Sequence, residues 1–366
     1  MTKQDFIFSL LRSALWQQPM DHFDMTSYEY KVVMEDTEKQ GVQGLVTDCL
    51  RTNNMGLKKK CVIHMLKMQR ALEEENQKIN TRLVSLVQLL NQHGINYVVV
   101  KGPSLAALYP KPGLRIPGDI DFWTNDIGKT RELLNKEWGQ DLPESFLAKE
   151  VEFKYEGVTF DFHRTLVNFR NSKHRKIWNE LLKRPYTTQM VCDCPVNVLE
   201  TTTNTIFIFI HIFFHFIREG IGLRQLCDLT LFLEHNKSKI DRKDLSEQLS
   251  LLGIEKAFRS FGWILIDKLG LPPSSFPLEI KEKDKKITKH ILEDIWKGGN
   301  FGVHNRHFKK VGFLRKMETM YITVRNCISY FRLAPSELIY DIPLLVRHNI
   351  RLFVHHQQPT GPQPET

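Results

Sequence analysis

Asp119 and Asp121 stand two residues apart in "GDIDFW", and a third carboxylate, Asp161, occurs in "VTFDFHRTL". If both stretches are strands, alternation sends Asp119 and Asp121 out of one face while Ile120 and Phe122 enter the core, with Cα atoms about 7 Å apart. Carboxylates so spaced can converge on one divalent cation, or bridge two about 4 Å apart, an arrangement that stabilises both the attacking and the leaving oxygen of an in-line displacement. The plain alternative for an Asp-x-Asp pair is a solvated strand end. Asp161 shares its strand face with Thr159 and His163, opposite Val158, Phe160 and Phe162. Asp161 and His163 both remain open as the base.

Basic and turn-forming residues precede the acids. In "VVVKGPSLAALYP", Lys101-Gly102 follows an apolar strand and leads into Pro103, a favoured first residue of a helix. Residues 103 to 109 are therefore expected to offer free backbone N–H groups to an anion, with the Ser104 hydroxyl beside them. Further along, Arg224 and Asp228 lie four apart in "LRQLCDL", the spacing of an ordinary helix salt bridge.

Three kinds of segment must position these groups. Residues 1–90 read as a helical region, ending in a long amphipathic stretch that Gly94 can cap. Residues 91–197 mix strands and short helices: "INYVVV" is a buried strand, "DIDFW" a second, and "KEVEFKYEGVTFDFHRTL" a hairpin turning near Glu156-Gly157. Residues 198–355 are again helical, and the polar, proline-rich 356–366 is expected to be a disordered tail. The fold class is thus α+β, a small mixed-sheet core between N-terminal and C-terminal helical regions.

Composition narrows the function classes. With 51 Lys and Arg against 42 Asp and Glu, the 366-residue chain carries a formal charge of +9, which permits nucleic-acid contact without requiring it. Six irregularly spaced cysteines exclude a disulfide framework, and Cys192-Asp-Cys194 lacks the second pair of a zinc site. The N-terminus, with Asp5 inside its apolar run, does not read as a signal peptide, so a cytoplasmic location is expected. "TIFIFIHIFFHFI" (205–217) falls short of the roughly 20 apolar residues of a membrane span and predicts a buried helix. On it, His211, His215 and Glu219 recur every four residues, a spacing open to zinc ligation or to packing histidines. Lys58 to Lys60 read as a solvated helix start, and "HNRHFKKVGFLRK" (304–316) interleaves basic residues with Phe308 and Phe313 as polyanion sites do.

The order of "VVVKGPSLAALYPKPGLRIPGDIDFW", "VTFDFHRTL" and "HFIREGIGLRQLCDLTLFL" resembles the bacterial nucleotidyltransferases usually described as uncharacterised, a branch of the DNA polymerase beta-like superfamily. The resemblance covers roughly residues 90 to 235. It implies that Gly102 is the turn glycine of a phosphate-binding turn and helix, that Asp119 and Asp121 are paired metal ligands, and that Asp161 is the third acid. It further implies phosphate-neutralising roles for Lys101 and Arg115, and a nucleotide-facing helix carrying Arg224 and Asp228. The turn here is Gly102-Pro103, with Ser104 one place later than usual, and the spacer before Asp119 is longer than in the broad superfamily pattern. The implied activity is transfer of a nucleoside monophosphate from a Mg- or Mn-bound triphosphate, ATP being the expected one, to an acceptor hydroxyl. Small molecule, RNA and protein all remain open as acceptor, and a nucleotide-binding scaffold without turnover is the alternative.

Overall fold

The computed structural model describes residues 2–20, 24–53, 55–144, 150–300, 302 and 313–340. The polar tail and most of the basic-aromatic segment at 304–316 lie outside these residues. Four helices open the chain: α1 (Lys3–Trp16), α2 (Ser27–Lys39), α3 (Gln43–Thr52) and α4 (Lys59–Gln92). Thr2 and Thr26 cap the first two through reciprocal bonds with Asp5 and Glu29, which satisfies otherwise orphaned backbone donors. Lys58 to Lys60 are exposed around the start of α4.

The sheet follows, with β1 (Tyr97–Val100), a single turn of helix α5 (Gly102–Ala106), β2 (Ile120–Thr124), α6 (Ile127–Trp138), β3 (Glu150–Tyr155) and β4 (Val158–His163). Strand order is β1-β2-β4-β3. The hairpin β3–β4 turns at Glu156 (φ 45°) and Gly157 (φ 81°), the left-handed pair that matches the twist of two strands. β2 runs antiparallel to β1 but parallel to β4, in a register that sets Asp121 beside Asp161 and Trp123 beside His163. Alternation sends Ile120, Phe122, Phe160 and Phe162 inward, all fully buried. The Phe122 and Phe162 rings stack at 4.8 Å. These aromatics, with Leu83, Leu86, Val87 and Leu90 of α4, form the core beneath the sheet and hold the two acid-bearing strands in fixed register.

After α7 (Ser172–Leu181), a second hairpin pairs β5 (Thr187–Val191) with β6 (Cys194–Val198). The C-terminal helices are α8 (Thr201–Arg218), α9 (Leu223–Asn236), α10 (Arg242–Leu251), α11 (Glu255–Leu269), α12 (Glu282–Lys285), α13 (Thr288–Gly298) and α14 (Phe313–Ser329). α8 is the apolar segment, buried almost all round, and among the described residues no helix is long and apolar enough to cross a membrane. Its phenylalanines pack in one core with α1, α3, α9 and α11, so the helices on either side of the sheet are joined. All six cysteines are free thiols.

Candidate active site

The C-terminal end of β1, the segment entering β2, the middle of β4 and one face of α8 enclose a cavity of about 460 Å³. It is lined by Lys101, Gly102, Asp119, Asp121, Asp161 and His163, with the α8 residues opposite them. Asp121 is buried at its floor, 2% exposed. Its Oδ1 accepts from Lys101 Nζ at 2.8 Å and from His163 Nε2 at 2.7 Å, while His163 Nδ1 lies 3.1 Å from Glu150 Oε2. Burial alone raises the pKa of a carboxyl group, but the Lys101 charge and the His163 hydrogen bond outweigh it and hold Asp121 well below the usual carboxylate range. For His163, burial opposes protonation, yet bonding to Asp121 and Glu150 raises its pKa overall.

Asp161 is in the opposite condition. Burial, a hydrogen bond with Asp119 and the negative charges of Asp119, Asp121 and Glu150 push it up to about 7. Two carboxyl groups in hydrogen-bond contact must share a proton, so this cluster favours any cation that could replace it. Ligand atoms of Asp121, Asp161 and His163 all lie within 4.8 Å of one another, and Asp119 joins them through its contact with Asp161. His163 grips the central carboxylate through Nε2. His211, His215 and Glu219 do not form such a group among the described residues.

The basic side of the cavity departs from expectation. Lys101 has φ 55° and ψ −146°, near a region used almost only by glycine, at a cost of about 1–3 kcal/mol. Gly102 follows at φ 42°, and a Cβ there would come within 2.8 Å of the Asp119 carbonyl. Gly102 is thus required by backbone packing against the acid loop, whatever else it does. Ser104 is buried, its hydroxyl donates to Lys101 O at 2.7 Å, and it does not line the cavity. α5 is five residues long, with little dipole to offer an anion.

Arg115 and Asp228 find each other. Arg115 Nε and Nη2 donate to the two Asp228 oxygens at 2.7 and 2.8 Å, and Tyr109 Oη adds a third bond at 2.6 Å. Both side chains are buried, so this is a clamp between the β2 loop and α9. Breaking one partner of a buried ion pair strands the other charge. Arg115→Met is expected to lower unfolding free energy by about 3–5 kcal/mol in a denaturant titration, and the double change with Asp228→Leu to recover most of it. A loss below about 1 kcal/mol in the single variant would contradict the clamp.

Arg224 is consequently left without its helix neighbour. Its Nη1 makes one long bond, 3.4 Å to Ile116 O, and its buried Nε has no hydrogen-bond partner among the described residues. Burial and the nearby Arg115 charge lower its pKa. α9 can start here because Gly222 lets Gln40 approach; a Cβ at 222 would meet Gln40 O at 2.5 Å. The Gln40 carbonyl and side chain then receive the N–H groups of Arg224 and Leu223. This aims a cation with unfilled bonding capacity at the same cavity as the acids.

Residues 32–266, more than half the chain, match the model of a family described as uncharacterised nucleotidyltransferase, and the chain belongs to that family. The crystal structure of an antigenic nucleotidyltransferase-like protein from Paracoccidioides brasiliensis is similar over 53% of this chain and 93% of that one, at 15% identity and a TM-score of 0.30, too low to bear on the site. No curated protein matches the chain.

Proposed function

We propose that the protein transfers a nucleoside monophosphate from a Mg- or Mn-bound nucleoside triphosphate, ATP first among them, to an acceptor hydroxyl. The observation that carries this reading is the convergence of Asp121 and Asp161 from neighbouring strands, and of Asp119 from the segment entering β2, on a cavity that Arg224 and Lys101 also line. Family membership supports nucleotidyl transfer in general, and we assign the family to the DNA polymerase beta-like superfamily, in its bacterial branch. With every cysteine free, a reducing cytoplasm is the location we assign.

With the His163 nitrogens turned to Asp121 and Glu150, the three aspartates offer oxygen donors, which suit a hard divalent cation, and the proton shared by Asp119 and Asp161 marks a place where positive charge is wanted. Asp119, Asp121 and Asp161 would hold the ion. It would supply charge neutralisation at the phosphoryl oxygens. His163 and Lys101 fix one Asp121 oxygen and so orient the other. As the acceptor oxygen bonds to the α-phosphorus, the bond to the β-phosphate oxygen breaks, pyrophosphate departs with that electron pair, and Asp161 takes the hydroxyl proton.

Arg224 neutralises the phosphates. Because its guanidinium makes no hydrogen bond to a carboxylate among the described residues, only a long one to the Ile116 carbonyl, Arg224→Gln should weaken ATP binding in Mg at least tenfold while leaving the denaturation midpoint unchanged or higher. Unaltered affinity in a calorimetric titration would remove Arg224 from the nucleotide site. Incubation of the protein with each labelled triphosphate, Mg or Mn and a cell extract tests the function as a whole. Label on a small molecule, RNA or protein would identify the acceptor class. A nucleotide-binding scaffold is the alternative, and it would be favoured by a triphosphate that binds in the calorimetric titration yet leaves no label anywhere.

A further inference from the structure

The wall opposite the acids is built from one helix face. Phe207, His211, His215 and Arg218 of α8 line the cavity, at the spacing that brings successive turns into register. The rings form a ladder: Phe207 lies over His211 with centroids 6.3 Å apart, and His211 meets His215 edge-on at 4.2 Å. Lys101 joins this ladder to the acids, its Nζ donating to His211 Nε2 at 3.5 Å while bound to Asp121 at 2.8 Å. At the far end His215 Nδ1 donates to Glu219 at 3.0 Å, and the Arg218 guanidinium sits 4.8 Å over the Phe214 ring. The cavity thus carries Asp119, Asp121 and Asp161 on the strand side and a row of nitrogen groups on the helix side, where the lining carboxylates Glu219 and Asp228 are each held by a basic partner.

We propose that this row, Lys101 with His211 and His215, is the subsite for the departing pyrophosphate. The inference rests on the nucleotidyl-transfer reading and adds to it the location of the leaving group. When the bond to the β-phosphate oxygen breaks, negative charge grows on the pyrophosphate. Donors aimed where charge develops are worth more in the transition state than in the ground state. The turn after β1 offers little to that charge, since the Ser104 hydroxyl is bonded to Lys101 O and α5 is a single turn. Lys101 instead holds a strained backbone conformation that extends its ammonium between Asp121 and His211. Strain of this kind persists where the surrounding structure over-determines it, and it clusters at active sites and ligand clamps. The imidazoles continue the row from Lys101 along α8, to one side of Asp119 and Asp161 in the cavity.

The test uses inorganic pyrophosphate with Mg, and MnCl2 alone, titrated into the full chain by calorimetry. His211→Gln/His215→Gln keeps side-chain volume and polarity, and His211→Ala/His215→Ala removes the rings; circular dichroism checks both for fold. Both double variants should bind pyrophosphate at least tenfold more weakly than the wild type while Mn affinity changes less than twofold. Arg224→Gln should weaken pyrophosphate less than either. Unchanged pyrophosphate affinity in both histidine variants would overturn the proposal, as would a larger loss in Arg224→Gln, which would put the leaving group beside α9. A wild type that binds Mn but not pyrophosphate also sinks it, alone. A wild type that binds pyrophosphate, loses it in the histidine variants and never binds Mn would leave the helix-side subsite standing and overturn the metal-dependent reading instead.

Discussion

Asp121→Asn is expected to abolish Mn binding, with affinity down at least 100-fold, and to silence nucleotidyl transfer, with a fold that survives in weakened form. The carboxylate is 2% exposed and bonded through Oδ1 to both Lys101 and His163, so neutralising it leaves a partly buried ammonium without its counter-charge. Leaving one partner of a buried hydrogen-bonded pair unsatisfied costs about 1–3 kcal/mol, and unfolding by denaturant should register a loss on that scale. Lys101→Met in the same chain removes the stranded charge, so the double variant should regain stability without regaining metal. That separation distinguishes the two consequences of one carboxylate, ion binding and charge balance. Undiminished Mn affinity in Asp121→Asn would move the metal elsewhere. A double variant no more stable than the single would show that Lys101 is balanced by another group.

What could be read in the sequence is what local geometry decides. Strand alternation is a two-residue rule, so it forecast that Ile120, Phe122, Phe160 and Phe162 would enter the core, as they do. The turn at Glu156-Gly157 lies where it was expected, and the apolar run at 205–217 is a buried helix. The partners of the site residues were another matter. Helix spacing offers Asp228 to Arg224, yet Arg115, 113 positions away in the chain, takes it, because a planar guanidinium meeting both carboxylate oxygens outcompetes a flexible pair on one helix face. The parallel pairing of β2 with β4 is equally non-local, and it is what brings Asp161 level with Asp121. The hairpin of β5 and β6 passed unread because its strands carry a proline, Pro195, and several polar residues around a Cys192-Asp193 turn with two positive φ values. One signal for His211 and His215 was available: polar residues at every fourth position of an otherwise apolar helix need a polar surface to face, and here that surface is the cavity.

Asp161 yields the sharpest contrast between stability and chemistry. Its ordinary carboxyl pKa in an unfolded chain is about 3.9, whereas burial, Asp119 and the neighbouring charges push it up to about 7 in the metal-free fold. Between about pH 4 and 7 the folded chain keeps a proton that the unfolded chain has released. The group's contribution to stability is therefore complete below pH 4 and is lost as pH rises towards 7. Asparagine at 161 stays neutral and takes no part in that loss. Metal-free Asp161→Asn should accordingly melt several degrees above the wild type at pH 8, with the difference closing below pH 4. His163 and Asp121 titrate in both proteins, so their own contributions cancel to first order in the comparison. The same variant should lose about 100-fold or more in kcat, and in kcat/KM to a similar extent, as when an interaction made mainly in the transition state is removed. Thermal melts across pH, paired with turnover once the acceptor is known, measure both sides. Should Asp161→Asn melt lower than the wild type at pH 8, the shared proton with Asp119 is wrong. Should it remain active while His163→Gln is silent, the proton acceptor is the imidazole that grips Asp121.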